Sequence, residues 1–167
     1  MKLLSMILAL FGASPAVAIE PGQIAPDFSV KNQDGKTIKL SELKGKPVLM
    51  YFYPKDDTPG CTKEACNFRD EFAKFKKLGA VVLGVSRQDE KSHQAFRQKY
   101  SIPFDLLVDN DGSLAKSYGI TVIPGVGFHM RQSILIGRDG KVAKFYPSVN
   151  PATHTEEVLK DLEALAK

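Results

Sequence analysis

The chain is poor in sulfur and in histidine. It holds two cysteines, Cys61 and Cys66, and three histidines in 167 residues, so only one intrachain disulfide can form. No apolar stretch reaches the ~20 residues that a spanning helix needs, which excludes a helical membrane protein. Blocks dominated by proline and glycine or by charge of one sign are missing too, and with 43% hydrophobic and 25% charged residues the composition is that of an ordinary globule. There is no internal repeat and no linker, and 167 residues suit a single domain. The formal charge of +4 is dispersed along the chain, so no patch marks a nucleic-acid partner.

What is present begins with an export pattern. Lys2 precedes the apolar run Leu3 to Phe11, and Ala16-Val17-Ala18 offers the small-x-small sequence that a signal peptidase reads. The expectation is a signal peptide over residues 1–18, cleaved after Ala18, and a domain over 19–167 that does not insert in the membrane. Removing Lys2 leaves 22 basic against 19 acidic residues, a mature charge of +3. Export places the protein in the periplasm, where neighbouring thiols meet oxidising conditions.

Apolar patterning alternates between strand and helix. "FSVKN" and "KTIKL" flank Asp34-Gly35, a pair that favours a tight hairpin, and Ser41 can open a short helical turn. "PVLMYFY" (47–53) is continuously apolar, as a strand covered on both faces must be. Phe68, Phe72 and Phe75 recur at helical spacing, which predicts one amphipathic helix from Cys61 to about Lys77, ended by Gly79. A strand over 80–86, a helix over 89–100 capped by Asp89, a strand over 104–109 and a short helix over 112–119 follow. A hairpin turning at Arg138-Asp139-Gly140 and a last helix over 153–166, with Thr153 and Glu156 at capping-box spacing, complete the chain. This order implies an α/β fold with a mixed central sheet and helices on both faces.

Both cysteines lie in "YPKDDTPGCTKEAC" (53–66), where the candidate central strand hands over to a helix. Ligands of open α/β sheets gather at the carboxyl ends of strands. In the first turn of the helix, the Cys61 sulfur faces unpaired amides and the positive end of the dipole, which favour a thiolate nucleophile. Cys66 follows five residues later, about 8 to 9 Å away between Cα atoms on ideal helix geometry. A disulfide tolerates at most ~7 Å, so the pair can join only if the first turns unwind. So short a loop would restrain the unfolded chain little, which points to a redox role before a stapling one. Thr58 is close enough to donate to the thiolate or to a bound oxygen, Pro54 and Pro59 fix the backbone and shield the sulfur, and Gly60 lets main chain approach a ligand.

The frame Pro54-x-x-x-Thr58-x-x-Cys61 resembles the signature of the peroxiredoxins. Cys66, after four intervening residues, narrows the likeness to the bacterioferritin comigratory protein or PrxQ subfamily. Residues 21–66, "LGVSRQ", "FDLLVDNDGSLAKSYG" and "RQSILIGRDGKV" are similar to it as well. The resemblance implies a thioredoxin-like fold with an N-terminal β-hairpin extension and a thiol peroxidase acting on hydrogen peroxide and organic hydroperoxides. It implies Cys61 as the peroxidatic residue, with Gly60 and Cys61 supplying the peroxide-binding backbone, and Cys66 as the resolving residue of a Cys61–Cys66 disulfide. Arg131, at the start of "RQSILIG", matches the arginine that polarises the peroxide, while Arg138 is expected at a solvated hairpin tip. No metal or organic cofactor is implied. The reductant is an external dithiol, thioredoxin or a periplasmic equivalent, and the subfamily's habit is monomeric. The chain departs from many relatives at Gly137, where an acid is lost, and has a short loop over 120–130.

Among the histidines, His93 is expected in solvent and His154 in the first turn of the last helix. His129, two residues before Arg131, can share its strand face. Two other functions fit parts of the pattern. A general thiol–disulfide oxidoreductase would use Cys-x-x-Cys, which this chain lacks. A copper chaperone of the Sco type could pair both thiolates with His129 around Cu(I), but it uses a shorter cysteine spacing.

Overall fold

The computed structural model describes residues 18–167. The expected signal peptide therefore lies outside the described residues, apart from Ala18. Strand β3 (Val48–Phe52), buried along its whole length, is the centre of a five-stranded sheet. Strands β4 (Val81–Ser86) and β5 (Asp105–Val108) extend it in parallel on one side, while β6 (Gln132–Ile136) and β7 (Val142–Tyr146) extend it antiparallel on the other. Only a strand with neighbours on both edges and packing on both faces can be apolar throughout, which is why 47–53 reads as it does.

Strand alternation splits the core in two. Leu49, Tyr51 and Tyr53 face α1 (Pro59–Asp70), α2 (Phe72–Lys77), α3 (Glu90–Tyr100) and α5 (His154–Leu165), which contribute Phe68, Phe75, Phe96 and Leu162. Val48, Met50 and Phe52 face the other side, where α4 (Ser113–Ser117) and the N-terminal segment supply Leu114, Phe28 and Ile19. Strands β1 (Ser29–Lys31) and β2 (Thr37–Lys39) pair as the expected hairpin, turning at Gly35 with φ of 73°, and a 3-10 turn follows at Leu40–Leu43. The hairpin also covers the edge of the sheet. Gln33 accepts from the Leu106 amide at 2.8 Å and donates to Asp105 at 2.9 Å, which satisfies groups that an edge strand would leave open.

Several expectations need correction. The single helix from Cys61 to Lys77 is two, interrupted at Glu71, whose ψ of 7° leaves the helical range. Periodicity could not reveal the break, because Phe68 and Phe75 point to the core on either side of it. The capping box at Thr153 does not form, since its side chain makes no capping bond. Asp89, by contrast, caps α3 by accepting from the Ser92 amide at 2.8 Å. Arg138 is exposed as expected, yet it is not idle: it donates to the carbonyls of Gly45 and Leu78 at 3.1 and 2.9 Å, tying the hairpin tip to two loops. At Gly137 any added Cβ would stand 2.9 Å from Asp139 Oδ1, so the absence of a side chain there makes room for that carboxylate. This happens beside Val48, at the end of β3 remote from the cysteines.

Among the described residues no helix is long and apolar enough to cross a membrane.

Candidate active site

Pro54 follows directly on Tyr53, whose amide still bonds to Val85 O at 3.1 Å, and it ends the ladder because it has no N–H to give. The chain then loops through residues 55–58 into α1. The first helical bond runs from the Thr62 amide to Thr58 O at 2.8 Å, so the amides of Gly60 and Cys61 precede the helical ladder. Cys61 and Cys66 are the third and eighth residues of this helix, both with free thiols, the first buried and the second half-buried. An intact helix separates them as the sequence spacing implies, beyond disulfide reach.

Arg131, immediately before β6, reaches over the helix start. Its Nη2 donates to Cys61 Sγ at 3.4 Å, and its Nη1 donates to Glu64 Oε2 at 2.6 Å. Gly60 makes that approach possible, since a Cβ there would lie 3.0 Å from Nη2. Its missing side chain thus admits the guanidinium. Burial opposes the arginine's charge, but the neighbouring Glu64 and Cys61 outweigh it and hold the group above its usual range. Glu64 is fully buried, and this desolvation pushes its carboxyl up to about 7 against the pull of Arg131. Glu64 Oε1 and Tyr51 Oη are buried without a hydrogen-bond partner in the described residues, and burial followed by Glu64 holds the Tyr51 phenol well above its ordinary range.

Thr58 is placed beside this centre but oriented differently from the expectation. Its hydroxyl donates to Lys55 O at 2.8 Å, closing the loop before the helix, and makes no bond to the sulfur. The alcohol finds a backbone acceptor in its own turn, which braces the approach to Cys61.

The histidines differ most from the sequence reading. His93 is buried, not solvated: Nδ1 lies 2.7 Å from Asp56 Oδ2 and Nε2 lies 3.0 Å from Leu107 O. His154 is in the first turn of α5 but wholly inside, with Nε2 2.9 Å from Ser133 Oγ and its ring edge-on to Phe68 and Tyr146. His129 does not share the Arg131 face. It lies edge-on to Phe52 on the opposite side of the sheet from Cys61, 2.9 Å from Asp109 Oδ2 but too poorly aligned for a hydrogen bond. A copper site built from both cysteines and His129 is therefore geometrically closed.

Glu64, Asp56 and His93 were missed as members of the site and its supports. A signal for Glu64 was available, because it stands three residues from Cys61 and so on the same helix face.

A thioredoxin-like sheet that delivers a cysteine to a helix start, under a guanidinium, defines a thiol-based redox protein. Comparison with known proteins makes the class specific. A model of the AhpC/TSA family matches residues 21–145. Peroxiredoxin Q of Suaeda salsa chloroplasts is 44% identical over 161 residues, covering 93% of this chain and 73% of its own. A putative peroxiredoxin bcp of Coxiella burnetii is 44% identical over 151 residues, covering 86% and 98%. Among solved structures, PrxQ of Xylella fastidiosa superposes with a TM-score of 0.83 at 30% identity, over 90% of this chain and 99% of its own. The bacterioferritin comigratory protein of Xanthomonas campestris does so with 0.79 at 33%, over 89% and 98%. The chain belongs to the AhpC/TSA family, in the PrxQ/Bcp subfamily of the peroxiredoxins.

Proposed function

We propose that this thiol peroxidase reduces hydrogen peroxide and alkyl hydroperoxides at Cys61 and resolves the product with Cys66. The Cys61 sulfur attacks the terminal oxygen of the hydroperoxide. The O–O bond breaks, the leaving oxygen departs as water or an alcohol after taking up a proton, and Cys61 becomes a sulfenic acid. Arg131, with the amides of Gly60 and Cys61, offsets the charge moving from sulfur to oxygen. Pro54 and Thr58 act through the loop they rigidify. Cys66 then displaces the sulfenic oxygen as water, and an external dithiol reduces the resulting disulfide. Alkyl peroxide reduction belongs to the Xanthomonas campestris relative, which supports including organic substrates here.

The observation that carries this reading is the 3.4 Å contact of Arg131 Nη2 with the sulfur at the start of α1. Peroxide consumption driven by dithiothreitol tests it. Cys61→Ser is expected to abolish turnover; Cys66→Ser is expected to reduce about one equivalent and stall when no other thiol is present, and to depend on dithiothreitol attacking the sulfenic acid directly for any further turnover. Sustained turnover without Cys61 overturns the assignment.

Export and a periplasmic dithiol as reductant complete the proposal, supported by Lys2, the apolar run and the Ala16-Val17-Ala18 pattern. Ile19, the first residue after the proposed cut, already sits in the core, so cleavage there leaves the folded domain whole. The catalytic cycle needs one chain only, consistent with a monomer. N-terminal sequencing of periplasmic protein is expected to begin at Ile19; an intact Met1 on cytoplasmic protein contradicts export.

A further inference from the structure

Helix α3 grips the loop that leads into Cys61 through two successive aspartates. Asp56 is the inner anchor. It accepts from Tyr53 Oη at 2.6 Å and Ser92 Oγ at 2.7 Å, lies 2.7 Å from His93 Nδ1, and donates its amide to Gln88 at 3.1 Å. Asp57 is the outer one. Lys99 Nζ donates to its two oxygens at 3.1 and 2.8 Å, and Tyr100 Oη donates at 2.6 Å. These contacts hold the Asp57 carboxyl below the usual carboxylate range, chiefly through the bonds from Lys99 and Tyr100.

Three features make the outer contact mechanical. Asp57 has φ of 56°, a left-handed conformation that a side-chain-bearing residue keeps only when its surroundings insist. Thr58, the residue at the N-cap, makes no side-chain capping bond, so α1 does not secure its own start. Tyr100 also accepts at its carbonyl from Arg69 Nη1 at 2.7 Å, and Arg69 lies beyond Cys66 on α1. The end of α3 therefore holds the segment 57–69 on both sides of the two cysteines.

We propose that the Asp57 contact with Lys99 and Tyr100 is a releasable clasp that keeps the first turn of α1 helical and so sets how fast an oxidised Cys61 reaches Cys66. The inference rests on the assignment of the two cysteines above. Resolution breaks the S–O bond of the Cys61 sulfenic acid and forms the S–S bond. The Cys66 thiol loses its proton, which leaves with the hydroxyl as water, while the Cys66 sulfur is oxidised and the Cys61 sulfur reduced. In competition, a second hydroperoxide transfers an oxygen to the sulfenic sulfur, its O–O bond breaking to release water or an alcohol, and gives a sulfinic acid. A tighter clasp favours the second course. Asp57 is a positioning residue, since it touches neither sulfur.

The test uses Lys99→Met and Tyr100→Phe, which loosen the clasp from α3 without altering the loop, and Asp57→Asn, which keeps a residue tolerant of positive φ. The sulfenic lifetime is measured by rapid quench and mass spectrometry. It is expected to shorten by about two- to fivefold, as fits the loss of an exposed charged contact. The peroxide concentration that converts half of Cys61 to sulfinic acid rises by a similar factor, while the rate constant of the first peroxide step is unchanged. Salt supplies a readout that mere destabilisation would not give: added salt shortens the wild-type lifetime and leaves that of Asp57→Asn flat. Unchanged lifetimes in both α3 variants, or an equal salt response in Asp57→Asn, overturn the clasp. If the wild-type chain forms no Cys61–Cys66 disulfide, the assignment of the pair fails and the clasp falls with it.

Discussion

Arg131 divides one guanidinium between two groups that compete for it, the Cys61 sulfur and the buried Glu64 carboxyl. With Glu64 pushed up to about 7, its neutral form is well populated near neutral pH, and the arginine's charge is then left to the sulfur and its substrate. The two contacts leave from different nitrogens of one planar fork, a geometry that a lysine ammonium cannot reproduce. Arg131→Lys is expected to lower the second-order rate constant with peroxide by about a hundredfold, in the range of a lost transition-state donor, and stopped-flow measurement decides it. An unchanged constant removes Arg131 from the peroxide step. The position of Cys61 and Cys66 on a helix after the central strand was legible from apolar patterning and spacing, whereas Arg131 was singled out only through the family resemblance. Spacing put Glu64 on the Cys61 face of the helix, but its burial was not legible, because an acid among other charged helix residues is ordinarily in water, and only the arginine from a distant strand makes burial tolerable.

At the scale of elements, burial of imidazole is the recurrent surprise. His93 and Phe96 stand three residues apart on the buried face of α3, so the pattern held a hint, but a polar ring is not counted among core residues until its partners are known. Asp56 and Leu107, which receive it, are 37 and 14 residues away. His154 shows the energetic consequence. Burial, opposed by Glu157, pulls its pKa down to about 4 from an ordinary value of 6.5. The folded state then binds the proton less well than the unfolded chain, so the contribution of this group to stability is complete above about 6.5 and is lost as pH falls toward 4. Glu64 has the opposite sign over an overlapping range, which makes the difference between wild type and a variant the useful quantity. His154→Phe keeps a ring between Phe68 and Tyr146 and gives up the bond to Ser133, a cost independent of pH. Between pH 6.5 and 4, urea midpoints of the wild type are expected to fall more steeply than those of the variant. Parallel curves would mean that folding does not weaken proton binding at His154.

For the molecule as a whole, order is distributed unequally around the reaction. Tyr51 in β3 and Tyr53 just beyond its end form a fully buried floor on the face that packs against α1, whereas the helix above them must come apart in its first turns for the two sulfurs to meet. The succession of strands and helices and the N-terminal hairpin were readable, because apolar runs of strand length alternate with helical periods and Asp34-Gly35 marks a tight turn. The break at Glu71 and the grip of α3 on the active-site loop were not, since neither alters the periodicity of its own segment. Oxidation is expected to remove amide-exchange protection from the first turns of α1 while β3, β4 and β6 stay protected. Equal protection of α1 in both redox states contradicts a disulfide that needs local unfolding. The most direct test follows from cleavage chemistry, because Lys55, Lys63 and Arg69 let trypsin place Cys61 in the peptide 56–63 and Cys66 in 64–69. After the reduced protein is treated with one equivalent of hydrogen peroxide and digested without reductant, mass spectrometry is expected to find these two peptides joined by a disulfide. Two free peptides, with oxygen added to Cys66 and Cys61 still a thiol, would contradict the account at its centre.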